Sequence, residues 1–138
     1  MGYLFDASSL ILLIKRMDED SFLRFREKVR VLDLTLYEVG NTLWKEGSLR
    51  GVLEEDEARS LVRYASTVLG SVPRVGITAD DFEGVYEVAR SSKLSYYDAA
   101  YLYTARKSKL TLVTEDAKLF GAAHDVGVAR LRDLGFQH

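Results

Sequence analysis

Residues Ser95–Thr114 read SYYDAAYLYTARKSKLTLVT, and two periodicities meet in them. The first part, through Lys107, is a helix. Ala, Leu and Tyr dominate it, and Ser95 stands where an N-cap hydroxyl belongs. The last part, KLTLVT, alternates and ends on β-branched residues, the mark of a strand closing at Thr114. A helix that feeds directly into such a strand is half of an α/β repeat. Between Lys93 and Arg106 the helix carries a single charge, Asp98, and a carboxylate so isolated on an apolar helix needs a physical reason.

The same alternation runs outward to both ends. YLF at Tyr3–Phe5 is a short apolar strand ending at Asp6. SSLILLIK follows as a helix with a Ser cap, and EDSFLRFREK as a second helical piece. VRVLDL at Val29–Leu34 is the second strand. A helix from Thr35 stops at Gly47, and the next begins in an acidic first turn, EEDE, with apolar residues at Ala58, Leu61, Ala65 and Val68. VPRVGI at Val72–Ile77 is a third strand, with the lone proline near its start, where proline is tolerated. A helix capped by Thr78, the Ser95–Thr114 pair, a short helix in EDAKLFGAAHDVG and a last strand at Val126–Leu131 complete the chain. Strands alternating with helices predict a mainly parallel sheet of about five strands covered by helices on both faces. With no linker, repeat or low-complexity segment, residues 1–138 read as one domain.

The composition is that of an ordinary globular protein: 47% hydrophobic, 29% charged, net charge −2. It provides no global basic field for a polyanion. The absence of cysteine rules out a disulfide framework, a thiolate metal site and a Cys nucleophile. The longest apolar run is far short of the about 20 residues of a membrane span, and MGYLFD has no basic n-region. The expectation is a soluble, cytoplasmic protein with no membrane partner. The single Asn, Asn41, and single Gln, Gln137, are few, as in heat-adapted chains.

Most of the 21 acids have bland surroundings, and DED at Asp18–Asp20 and EEDE at Glu54–Glu57 are solvated clusters. Asp6, Glu38, Asp98 and Asp116 differ, each lying among apolar or small residues: YLFDAS, TLYEVGN, SYYDAA and LVTEDAKLF. In open α/β sheets, ligands bind beyond the carboxyl ends of the strands. Asp6, Glu38 and Asp116 follow three strands closely, and Asp98 joins them if its helix starts at the same edge. Each acid also has a structural use, because T-x-x-E at Thr35–Glu38 and S-x-x-D at Ser95–Asp98 match capping boxes and Asp6 suits an N-cap. Capping does not require four acids at one edge. Carboxylates gathered there repel by about 1–4 kcal/mol per close pair, so the cluster must take up protons or hold cations. With oxygen ligands only, Mg²⁺ or Mn²⁺ is favoured, the usual metals of phosphoryl-transfer sites.

The four motifs, in this order and at these separations, resemble the PIN-domain nucleases, in particular the VapC-type toxins of toxin–antitoxin pairs. The resemblance spans Tyr3 to about Leu131. It implies a three-layer α/β/α sandwich and a metal-dependent endoribonuclease that hydrolyses RNA phosphodiester bonds. It implies that Asp6, Glu38, Asp98 and Asp116 form the catalytic, metal-holding set, with Ser8, Asn41 and Thr114 hydrogen-bonding around them. Lys118, Leu119 and Phe120 stand where many members carry a further acid or aromatic, so no fifth ligand is carried over. It also implies a cognate antitoxin and a homodimer. The basic candidates for RNA contact are Lys15, Arg16, Arg24, Arg26, Lys28 and Arg30, and Tyr96, Tyr97, Tyr101 and Tyr103 at helical spacing read mainly as core or dimer contacts. The alternative is a catalytically silent PIN-like module that binds RNA or a protein. Phosphatase, receiver, P-loop and dinucleotide signatures are absent: DAS lacks the second Asp of D-x-D, and neither Gly-rich motif occurs.

Overall fold

The computed structural model describes residues 2–135; Met1 and residues 136–138, Gln137 among them, lie outside the described residues. The central strand β1 (Tyr3–Phe5) leads through Asp6 into helix α1 (Ala7–Arg16), then α2 (Glu19–Phe25) and strand β2 (Val29–Arg30). Helices α3 (Asp33–Trp44), α4 (Glu55–Gly70), α5 (Phe82–Ser92) and α6 (Tyr96–Ser108) follow. Strand β3 (Thr111–Val113), helix α7 (Ala117–Ala122) and strand β4 (Val128–Ala129) close the fold. All pairings are parallel and the order is β2-β1-β3-β4.

Alternation along the short strands separates the two faces. Phe5 and Val113 point to a core built with α1, α2, α3 and α4, which includes Leu10, Phe22, Val39 and Val68. Leu4 and Leu112, one residue earlier in each strand, point to a second core with Val85 of α5, Leu102 of α6 and Leu119 of α7. Each of these strand side chains has no exposed surface; burying one contributes about 1.5–3 kcal/mol. The result is the expected α/β/α layering.

The strands are fewer and shorter than the periodicity predicts. The second ends early because the Leu32 N–H turns to the Thr35 hydroxyl, 3.1 Å away, and starts α3 at Asp33. The expected third strand, Val72–Ile77, is reduced to one bridge, Val31 to Arg74. It has lost the neighbour it needed, and Pro73 has no N–H to donate. The expected fifth strand is the two-residue β4. There Gly127 passes so near Thr111 that a Cβ would stand 2.8 Å from its hydroxyl oxygen.

The first helix is capped by Asp6, whose side chain accepts from the Ser9 N–H, rather than by a serine. Gly47 does not stop the helix after Thr35 either. The chain continues as a π turn over Lys45–Leu49, closed by the Arg50 N–H on the Lys45 carbonyl at 2.8 Å. Gly47 is needed because α4 packs onto this turn: a Cβ there would lie 2.8 Å from that of Ala58. Gly47→Ala is therefore expected to destabilise the fold by about 1–3 kcal/mol in urea unfolding, with much of the loss recovered when Ala58→Gly is added.

Candidate active site

The strand order places a topological switch point between β1 and β3, since the chain leaves β1 toward β2 on one side and returns as β3 on the other. Asp6 follows β1 directly and Asp116 lies three residues beyond Val113. Helix α6 runs back toward this edge, so Asp98 in its first turn arrives beside them. Helix α3 supplies Glu38. The four acids line a single cleft of about 390 Å³ together with Ala7, Ser8, Ile11, Thr42 and Tyr101. No Lys, Arg or His is among these lining residues.

Asp6 is 6% exposed and densely bonded. Its Oδ1 accepts from the Ser9 N–H and the Ser8 hydroxyl, each at 2.9 Å, and the Ser9 hydroxyl is 2.9 Å from it as well. Its Oδ2 accepts from the Thr114 hydroxyl. The Thr114 oxygen in turn accepts from the Asp116 N–H at 3.0 Å, so one hydroxyl ties the loops after β1 and β3 together. Asp116 caps α7 by accepting from the Leu119 N–H at 2.8 Å. In α6 the Ser95 hydroxyl accepts from the Asp98 N–H at 3.1 Å.

Glu38 is not a capping residue. Because α3 begins at Asp33, Thr35 occupies the third helical position and Glu38 falls in the second turn, out of reach of the helix end. Its Oε1 instead accepts from the buried Tyr101 hydroxyl at 2.6 Å. Asn41 is exposed and outside the cleft lining; Thr42, one residue on, is within it. Thr42 and Tyr101 in the cleft wall, and Ser9 sealed beneath it, are site residues that the motifs do not include. The only sequence signals for them are the doubled serine of DASS, helical spacing from Glu38, and an aromatic one turn after Asp98.

Burial raises the Asp6 carboxyl above its ordinary value against the opposing hydrogen bonds, that of Thr114 foremost. Glu38 is raised by burial, and further by the charges of Asp6 and Asp98, against the Tyr101 bond. Asp98 is raised by burial and then by Asp116 and Asp6, with Ser95 and Lys118 opposing. Burial and the bond to Glu38 push the Tyr101 phenol far up, so it serves as a neutral donor. Among the described residues no three acids or histidines form a ready-made cage for one ion. The donor set nevertheless suits Mg²⁺, which takes one or two carboxylates and keeps several waters. The mutual repulsion of the acids would be relieved by such an ion.

The basic residues lie elsewhere. Arg24, Arg26 and Lys28 precede β2, at the opposite edge of a parallel sheet from the cleft, and α1 carries Lys15 and Arg16 toward that edge. Lys15 pairs with Glu46 at 2.8 Å, and Arg30 bonds the Glu27 and Val29 carbonyls.

Acids gathered at the switch point of a parallel sheet are an arrangement that can hold a cation beside a ligand, and the chain's relatives show its family. The PIN domain model matches residues 3–124, and the chain belongs to the PIN-domain family. It is 40% identical over 119 residues to Exonuclease VapC9 of Pyrobaculum aerophilum, covering 85% of this chain and 82% of that one. It is 33% identical over 93 residues to Ribonuclease VapC3 of the same organism, covering 67% and 70%. The crystal structure of PAE2754 from Pyrobaculum aerophilum superposes with a TM-score of 0.82 at 34% identity, covering 97% of this chain and 86% of that one. A toxin–antitoxin complex from Klebsiella pneumoniae shares the fold, with a TM-score of 0.60 at 20% identity and coverage of 93% and 96%.

The raised carboxyls set a pH dependence. A carboxyl whose folded value lies above its unfolded one stabilises the fold in its protonated form, and that contribution is lost as pH rises through the folded value. Without metal, Asp6, Glu38 and Asp98 therefore favour the fold as pH falls from neutrality toward their ordinary values of 3.8 and 4.5. Asp81 acts oppositely: the Lys107 ammonium 2.6 Å away holds it well below the usual range, and its contribution is lost only below 3.8. Asp98→Asn should raise the metal-free thermal midpoint at neutral pH and flatten the profile down to about pH 4, measured by thermal unfolding in chelator.

Proposed function

We propose that this protein is a VapC-type nuclease that hydrolyses RNA phosphodiester bonds with Mg²⁺ or Mn²⁺ in the cytoplasm. The observation that carries the reading is the single cleft in which Asp6, Glu38, Asp98 and Asp116, from four separate segments, converge with no cationic side chain in its walls. Relatives named exonuclease and ribonuclease support it. So does the fact that no described helix is long and apolar enough to cross a membrane.

A divalent ion held there would supply Lewis-acid chemistry to a phosphodiester and to its attacking water. Asp6, Asp98 and Asp116 would hold it, directly or through water. Glu38, its carboxyl pushed up by burial, would complete the set and orient the attacking water. Ser8 and Thr114 fix the Asp6 carboxylate by donating to its two oxygens, and Thr42 takes the cleft position expected for Asn41. The basic run is at the far edge, so RNA enters the cleft only once a cation has reversed its charge.

Two apolar surfaces fit the proposed partners. A groove of about 730 Å³ between α3 and α4, lined by Leu43, Trp44, Ala58 and Val62 with Glu55 and Arg59 at its rim, suits an antitoxin helix. Leu13, Phe22 and Val68 are core residues and take no part in it. A second copy would pack on the patch of Tyr37 and Tyr97, which are 79% and 59% exposed, beside Leu34, Ile77 and Tyr96.

Alanine at Asp6, Glu38, Asp98 or Asp116, and Asp98→Asn, should each lower Mn²⁺-stimulated RNA cleavage by about a hundredfold or more, the scale of the several kcal/mol a metal supplies. Wild-type rates in two or more of these variants would overturn the assignment. Circular RNA should be cut as well as linear RNA if the attack is internal; cleavage of linear RNA alone would make the enzyme an exonuclease. A silent module would take up no Mn²⁺ in calorimetry.

A further inference from the structure

The Tyr101 hydroxyl is 2.6 Å from Glu38 Oε1 and 2.7 Å from the Thr35 hydroxyl, and the Thr35 oxygen is 3.1 Å from the Leu32 nitrogen. The direction of every bond in this chain follows from donor counting. The Leu32 amide can only donate, so Thr35 accepts from it. The Glu38 carboxylate can only accept, so Tyr101 spends its one proton there. The Thr35 proton must then point at the Tyr101 oxygen. The result is a one-way relay, Leu32 N–H to Thr35 to Tyr101 to Glu38, in which each bond polarises the next. Its members sit deep in the protein: Thr35 has no exposed surface, and Leu32 and Tyr101 are each 1% exposed. The relay begins at the residue that opens α3 and ends on a carboxylate of the same helix by way of α6. It therefore fixes the Glu38 side chain to two elements at once and leaves its other oxygen for the cleft.

We propose that Tyr101 is the positioning residue for Glu38, held in register by Thr35, and that it sets how tightly the acidic cleft takes up a divalent ion. The inference rests on the nuclease reading of the cleft. A glutamate in mid-helix has three free torsions, and without the phenol its carboxylate would lose the one donor it has among the described residues. Metal ligands oriented by such outer partners lose about 10–100-fold in metal affinity or activity when the partner is removed.

The test is Mn²⁺ calorimetry on the metal-free protein, paired with RNA cleavage kinetics and thermal unfolding. Tyr101→Phe removes only the oxygen and keeps the ring. It should bind Mn²⁺ about 10–100-fold more weakly and lower kcat, with KM for RNA unchanged. Thr35→Ser keeps the relay hydroxyl and should retain wild-type Mn²⁺ affinity. In a Glu38→Ala background, Tyr101→Phe should cause no further loss of affinity, because its effect passes through Glu38. Wild-type affinity in Tyr101→Phe while Glu38→Ala is weakened would overturn the proposal, as would a full additional loss in the double variant. If the wild type takes up no Mn²⁺, or Glu38→Ala binds it like the wild type, the nuclease reading falls and this inference with it.

Discussion

One buried carboxylate organises the molecule. Asp6 ends the central strand, caps the helix that covers one face of the sheet, and receives the Thr114 hydroxyl from the adjacent strand's loop. Burial works against its charge and its donors work for it, and burial is the larger effect. Strand, helix and loop are all built on a group that the metal-free protein holds at a cost. Charge adds to the effect of burial at its neighbours: Asp6 and Asp98 raise Glu38, and Asp116 and Asp6 raise Asp98. Such a cost is common where function depends on crowded charge.

The architecture distributes these demands without conflict. Asp6 and Asp116 satisfy helix N-termini with one oxygen each, where a carboxylate also meets the favourable end of the helix dipole. Glu38 has no helix end to serve and depends on a phenol 63 residues away in the chain. Asp98 stands in the first turn of α6 and is pushed up by burial and then by Asp116 and Asp6. The lone charge between Lys93 and Arg106 is explained by what it faces rather than by the helix it belongs to. On the opposite flank, Asp81 accepts from Tyr103, Lys107 and Thr78 and joins α5 to α6. Asp6, Glu38 and Asp98 on one side and Asp81 on the other thus shift in opposite directions, because burial dominates at the first three and the bond to an ammonium at the last.

The order of elements, their layering and the edge at which Asp6, Glu38, Asp98 and Asp116 gather were legible in the sequence, because period and strand-end position are local properties. Strand lengths were not. The Leu32 amide was equally available to a ladder or to the Thr35 hydroxyl, and only the folded chain shows that the helix took it. The same bond moved the start of α3 and turned an apparent capping box into a relay. Gly47 looked like a helix stop because its contact, Ala58, lies eleven residues further along, across a turn that periodicity does not describe. Tyr101 was read with its neighbours as core, and it is buried; nothing in SYYDAAYLY distinguishes a phenol that fills space from one that holds a carboxylate. Of the two hydroxyls in DASS, Ser8 borders the cleft and Ser9 is sealed beneath it, a difference of one residue around a helix.

The brevity of the outer strands limits how this protein can meet others. At one margin of the sheet β2 offers two residues, with Val31 just beyond them bridged to Arg74, and at the other β4 offers two more. Strand addition needs a row of free amides and carbonyls, and neither margin has one. The molecule is thereby guarded against fibril-like stacking of its own copies. Any protein that binds it must recognise side chains displayed on helices, so binding specificity can diverge rapidly while the sheet beneath stays the same.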